Sequence, residues 1–205
     1  MRMRGVYAVV AALVMVSGGA ARAEEAKVGT PAPDFALADA NGTRHRWADA
    51  RKKFVVLEWF NHECPFVGKH YGSRNMQTLQ AEATGKGVTW LTIASSAAGK
   101  QGYLTPDAAK TVIRERGAKQ TALLLDSDGT VGRLYGAKTT PHVFVIDPEG
   151  IVIYAGAIDS QPSADPADIA TATNYVRQAL DEAMAGHPVT VPSTRPYGCS
   201  VKYRE

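Results

Sequence analysis

Short apolar runs alternate along the chain with amphipathic stretches, and the two patterns predict strands and helices in turn. From Glu24 to Pro33 the chain reads as an extended lead-in, because Pro31 and Pro33 disfavour helix on both sides. Phe35-Ala36-Leu37 and Arg44-His45-Arg46-Trp47 flank the turn-rich stretch Asp39 to Gly42 and predict a small hairpin. Phe54 to Phe60 is a buried strand by its β-branched and aromatic content. A helix is expected from Pro65, interrupted near Gly72 and resuming as far as Thr84, with Ser73 as N-cap and Gly85 as terminator. Val88 to Ala94 is a second strand. Thr105-Pro106 then places a cap before a proline suited to the first helical turn, and Gly117 closes that helix. Thr121 to Leu125 and Val143 to Asp147 are further strands. Asp147-Pro148-Glu149-Gly150 is a tight turn leading into Ile151 to Ala155. Asp165-Pro166 opens the last helix, where Ile169, Thr173, Val176, Leu180 and Met184 share one face before Gly186. Alternation first and a hairpin last predict an α/β fold: a central mixed sheet with helices on both faces.

The first residues stand apart from this pattern. Met1 to Arg4 carry two arginines, Val6 to Val16 form an unbroken apolar run, and Ala21-Arg22-Ala23 supplies small residues at a cleavage site. That order is expected of a signal peptide over residues 1–23, cut after Ala23. The run falls short of the roughly 20 residues that span a bilayer. The expected mature protein is exported and periplasmic, with no membrane association after cleavage. Its length suits one domain over residues 24–186 plus a tail over 187–205. Removing Arg2, Arg4 and Arg22 changes the formal charge of +3 to 20 basic and 20 acidic residues. A neutral chain without a basic run gives no reason to expect nucleic acid as a partner.

Two cysteines remain, Cys64 and Cys199, in a compartment where disulfides persist. Cys64 follows the first long strand and precedes a helix, with Pro65 suited to the first turn. A helix N-terminus offers unpaired N–H groups and a positive dipole end, which favour thiolate over thiol. His62 can add positive charge when protonated, opposed by Glu63. Pro141, in Thr139-Thr140-Pro141-His142, fixes the backbone at a strand entrance, in either the cis or the trans form. Lys69, Lys100 and the acidic residues near them read as solvated surface.

Cys64 in a strand–turn–helix, with Thr140-Pro141 before a hairpin, resembles the thioredoxin-like superfamily. The chain is most similar to its redoxin branch, the alkyl hydroperoxide reductase and thiol-specific antioxidant (peroxiredoxin-like) proteins. Val28-Gly29-Thr30-Pro31-Ala32-Pro33-Asp34-Phe35-Ala36-Leu37 looks like that branch's opening. Val143-Phe144-Val145-Ile146-Asp147-Pro148-Glu149-Gly150 looks like its penultimate strand and turn, and the likeness runs from about residue 28 to 185. The resemblance implies a thioredoxin-like fold with an N-terminal β-hairpin extension and a C-terminal tail. The departures are specific. The second cysteine of a thioredoxin-type site is replaced by Val67. Asn61 stands where peroxiredoxin-like proteins carry cysteine or threonine, and Leu57 where a peroxiredoxin has proline. Pro141 stands where a peroxiredoxin has the arginine that orients peroxide.

Relatives with such tails place a C-terminal cysteine near the active turn, which makes Cys199 the expected resolving cysteine. A Cys64–Cys199 bridge would close a loop worth on the order of 4–5 kcal/mol in chain entropy. A free tail thiol or an intermolecular disulfide are the alternatives. The function implied is thiol–disulfide oxidoreduction or peroxide reduction, without a cofactor. Cys64 is the nucleophile, Pro141 shapes the site, and Asn61 or His62 hydrogen-bonds the sulfur. Thr140, Pro65 and His142 support it. The partners are a disulfide-bearing protein or a peroxide, and a thiol reductant. From another class comes a redox-inert metal carrier, with Cys64, His62 and His142 as candidate ligands for copper or zinc.

Overall fold

The computed structural model describes residues 25–205; the expected signal segment, residues 1–23, lies outside them. The lead-in hairpin is Ala36–Asp39 (β1) and Arg44–Arg46 (β2), followed by a 3₁₀ turn at Trp47–Ala50. Val55–Trp59 (β3), Thr89–Ala94 (β4) and Ala122–Leu125 (β5) run parallel at the centre. Beyond them come Thr139–Thr140 (β6), His142–Ile146 (β7) and Val152–Gly156 (β8). The main sheet has the order β2-β1-β5-β4-β3-β7-β8 and is mixed, because β7 runs antiparallel to both β3 and β8. A second, two-stranded sheet joins β6 to Cys199–Ser200 (β9) in the tail.

Strict alternation sorts the central strands between two cores. Val56, Trp90, Leu123, Val143, Val145 and Tyr154 face one side, under helices Pro65–Gly72 (α1), Asn75–Gly85 (α2), Pro106–Arg116 (α3) and Tyr175–Met184 (α5). Leu57, Trp59, Leu91, Leu124, Phe144 and Ile146 face the other, under the lead-in, the 3₁₀ turn and the short helix Thr130–Leu134 (α4). The mixed sheet with helices on both faces is the one expected from the element order, and its thioredoxin-like arrangement is the one that the resemblance implies; no helix among the described residues is long and apolar enough to cross a membrane.

Local chemistry accounts for the boundaries. Thr105 Oγ1 accepts from the Ala108 N–H at 3.2 Å and Gly117 adopts φ +59, so α3 is capped as expected at both ends. Two expectations need correction. The cap of α2 is Arg74, in the left-handed region at φ +66, one residue beyond Ser73; the Ser73 hydroxyl instead donates 2.7 Å back to the Lys69 carbonyl and closes α1. The expected single last helix is split. A 3₁₀ turn covers Pro166–Ala170, and α5 begins only after Asn174, whose side chain accepts from the Arg177 N–H at 2.9 Å. Between them Thr173 and Tyr175 hydrogen-bond to residues 158–160, and this pairing wins over continuous helix. It also fixes Asp159.

Candidate active site

Cys64 is the N-cap of α1, held in extended backbone at φ −79, ψ 125, with Pro65 in the first helical turn. Its N–H donates to the Asn61 carbonyl at 3.1 Å, and its own carbonyl accepts from Gly68 at 2.8 Å. The strand β3 therefore ends in a closed turn that delivers one sulfur to the end of the sheet. The residue is 1% exposed. Across from it the Thr140–Pro141 peptide bond is cis, and the Cys64 thiol lies 3.0 Å from the Thr140 carbonyl.

The tail completes the site. β9 pairs antiparallel with β6, setting Cys199 opposite Thr140 and Ser200 opposite Thr139. The two sulfurs lie 2.7 Å apart with both cysteines free, a distance longer than the ~2.05 Å disulfide bond. Close approach needs Gly198: a Cβ there, at φ +139, would sit 2.2 Å from the Thr140 carbonyl oxygen.

Electrostatics differentiate the two thiols. Burial pushes Cys64 up, but hydrogen bonds from the Cys199 thiol and the Val67 N–H outweigh it and hold Cys64 below its ordinary value. Burial and the neighbouring Cys64 push Cys199 up to about 11. The opposite shifts make Cys64 the more acidic of the two thiols.

The other candidate residues separate into two groups. Asn61, Pro65 and Thr140 surround Cys64, yet Asn61 does not serve the sulfur. Its amide donates to the Gln101 carbonyl at 3.4 Å and its carbonyl oxygen accepts from the Glu63 N–H at 2.9 Å, so it braces the turn. Burial lowers the His62 pKa, with Glu63 opposing and the Arg116 charge adding to the effect, which works against the cationic role expected of it. Its carbonyl accepts from the Arg116 guanidinium at 2.7 Å. His142 is a correction. Its ring packs on Phe144 at 4.7 Å, on the sheet face opposite the core that holds Cys64, and burial lowers its pKa to about 4. Among the described residues no cluster of three or more His, Cys, Asp or Glu is arranged to hold a metal.

Sequence reasoning missed the burial of several ionisable groups, and two of them are Glu58 and Lys69. Glu58, in the middle of β3, is fully buried and accepts from Tyr71, Gln80, Trp90 and Thr92 at 2.9–3.2 Å. Burial raises its pKa against those four donors. A lone glutamate inside an apolar run was the available signal. Lys69 is the second: far from solvated, it is 1% exposed and paired with Asp159 at 2.9 Å. Lys100, by contrast, lies at the surface as expected.

Comparisons with known proteins bear on the family and the fold. Thiol-disulfide oxidoreductase ResA of Geobacillus thermodenitrificans (strain NG80-2) is 27% identical over 132 residues, covering 61% of this chain and 66% of that protein. The match therefore spans just under two thirds of that relative's length. The crystal structure of an uncharacterized conserved protein from Geobacillus kaustophilus superposes with a TM-score of 0.74 at 28% identity, over 87% of this chain and 93% of that one. That of a putative thiol:disulfide interchange protein DsbE from Chlorobium tepidum gives a TM-score of 0.52 at 26% identity, over 64% and 85%. The AhpC/TSA family model matches residues 28–155, from the lead-in through β8 and across the Cys64 turn, and the chain belongs to the AhpC/TSA family.

Proposed function

We propose that the protein is an exported thiol–disulfide oxidoreductase in which Cys64 is the nucleophile and Cys199 the resolving cysteine. The observation that carries this reading is the 2.7 Å approach of the two sulfurs beside cis-Pro141, with Cys64 lowered and Cys199 raised in pKa. The Cys64 thiolate attacks one sulfur of a substrate disulfide and expels the other as a thiolate. Cys199, once its proton is lost, attacks Cys64 and releases the second substrate thiol. The protein is left with a Cys64–Cys199 disulfide, which an external thiol must reduce. No cofactor is needed for these steps.

The family match favours peroxide as a second substrate class. There the Cys64 thiolate takes one peroxide oxygen to give a sulfenic acid, releasing water or an alcohol. Cys199 then condenses with it, losing water. Pro141, standing where a peroxide-orienting arginine is expected, supports exchange over peroxide reduction. In the same reading residues 1–23 are a leader cut after Ala23, residues 24–186 the redoxin domain, and residues 187–205 a tail that supplies the second cysteine. N-terminal sequencing of protein from the periplasmic fraction tests the leader.

The chemistry is tested by mixing reduced protein with oxidised glutathione and reading masses. Cys199→Ser is expected to accumulate a mixed disulfide on Cys64, and Cys64→Ser to accumulate none. Accumulation on Cys199 in Cys64→Ser, at a rate like that of wild type, would overturn the assignment of roles.

A further inference from the structure

Tyr197, two residues before Cys199, enters a buried charge cluster that the redox steps do not use. Its hydroxyl donates to Asp159 Oδ1 and lies 3.3 Å from Lys69 Nζ and 3.4 Å from His70 Nε2. Lys69 Nζ also contacts Asp159 Oδ2 at 2.9 Å and donates to the Gln161 carbonyl at 2.8 Å. The Lys69 side chain is 0% exposed and that of Asp159 3%. The Tyr197 ring meets Phe66 edge to face at 5.9 Å. Phe66, Lys69 and His70 all belong to α1, the helix that Cys64 begins.

A buried ion pair is a poor device for stability, because desolvating both charges offsets their attraction. It is a good device for fixing one arrangement, since the tyrosine hydroxyl is satisfied in one place only. The tail is held on the other side of Cys199 as well. The Val201 N–H donates to the Lys138 carbonyl at 3.1 Å, the Lys202 carbonyl accepts from Ala97 at 2.8 Å, and the Tyr203 hydroxyl donates to the Ala137 carbonyl at 2.9 Å. Among the described residues, it is the Tyr197 anchor that ties the tail to the body of the helix that Cys64 begins, beside the contact of the two sulfurs.

We propose that Tyr197, through the buried Lys69–Asp159 pair, is a positioning residue that latches the tail to α1 and so sets how readily Cys64 and Cys199 form their disulfide. This rests on the reading of the two cysteines as a redox couple. The latch acts on the position of Cys199 and leaves the intrinsic reactivity of Cys64 alone.

The test is Tyr197→Phe, which keeps the ring on Phe66 and removes the hydroxyl. Reduced wild type and variant are equilibrated with glutathione buffers, alkylated and weighed. In the reaction one oxidised glutathione accepts two electrons and two protons from Cys64 and Cys199 and becomes two reduced glutathiones. The equilibrium constant is expected to fall about tenfold, as for loss of a hydrogen bond to a charged group, which is about 30 mV for a two-electron couple. In a Cys199→Ser background, Tyr197→Phe is expected to leave the rate of mixed-disulfide formation at Cys64 unchanged. Asp159→Asn is expected to shift the equilibrium constant in the same direction. An equilibrium constant within twofold of wild type overturns the latch while leaving the redox couple intact. Equal slowing of Cys64 in the Cys199→Ser background overturns it in favour of a structural role. Absence of any intramolecular disulfide in wild type overturns the redox couple, and the latch with it.

Discussion

Gly198→Ala isolates the contribution of tail docking to the chemistry. The added Cβ would lie 2.2 Å from the Thr140 carbonyl oxygen, 2.8 Å from its carbon and 3.2 Å from Pro141 Cδ. All three atoms belong to backbone or a proline ring, so no rotamer change relieves the clash. β9 must retreat by about 1 Å to regain ordinary contact, and the backbone at φ +139 is itself unfavourable for alanine. Overpacking of this kind costs about 1–3 kcal/mol. The dithiol form can escape the strain by releasing the tail, whereas the disulfide form cannot. The cost therefore falls on the disulfide, and its equilibrium constant against glutathione should drop by about 5- to 150-fold. Alkylation and mass measurement across a series of glutathione buffers reads this directly. Gly186→Ala serves as control: its φ is +78, but nothing lies within 4 Å of the new Cβ, so stability should fall by about 1 kcal/mol without a redox effect. Equal equilibrium constants for Gly198→Ala and wild type would refute the claim that β9 pairing brings Cys199 to Cys64.

Other perturbations test the surrounding structure. Lys69→Ala leaves Asp159 buried without its partner and should cost about 3–5 kcal/mol, seen as a melting temperature lowered by roughly 10 °C; Lys69→Met combined with Asp159→Asn should recover most of it. Glu58 has a folded pKa raised above its ordinary 4.5, so its contribution is complete below that value and is lost as pH rises through the folded pKa. Wild type should therefore lose stability relative to Glu58→Gln in denaturant titrations as pH increases above 4.5; a difference that stays constant, or that moves in favour of wild type as pH rises, would contradict the raised pKa. Asn174→Ala removes the α5 cap and should cost about 1 kcal/mol in urea unfolding.

Composition made the sheet legible. Runs of β-branched and aromatic residues mark β3, β4, β5 and β7, and the Thr105-Pro106 and Gly117 signals bracket α3 as found. Cys64 at a strand-to-helix turn and Pro141 before β7 were legible from local order alone. Short elements and tertiary pairings were not. The five-residue α4 offers too few positions for a period, and the split before α5 depends on hydrogen bonds from Thr173 and Tyr175 to a distant loop. The burial of Lys69 was hidden for the same reason: its partners Asp159, Gln161 and Tyr197 lie about ninety or more residues away in sequence. His142 was misplaced because proximity to Pro141 in sequence says nothing about which face the next side chain takes; the strand period turns it away.

The reduction potential of the Cys64–Cys199 pair tests the redox reading most directly. Purified protein is equilibrated across thiol–disulfide buffers, alkylated and weighed. A monomeric, intramolecular disulfide that opens at a potential above about −300 mV is the expected result for a working couple. Two thiols that stay free under oxidising buffers would contradict the resolving role of Cys199, and a potential below about −300 mV would make the bridge a structural clasp.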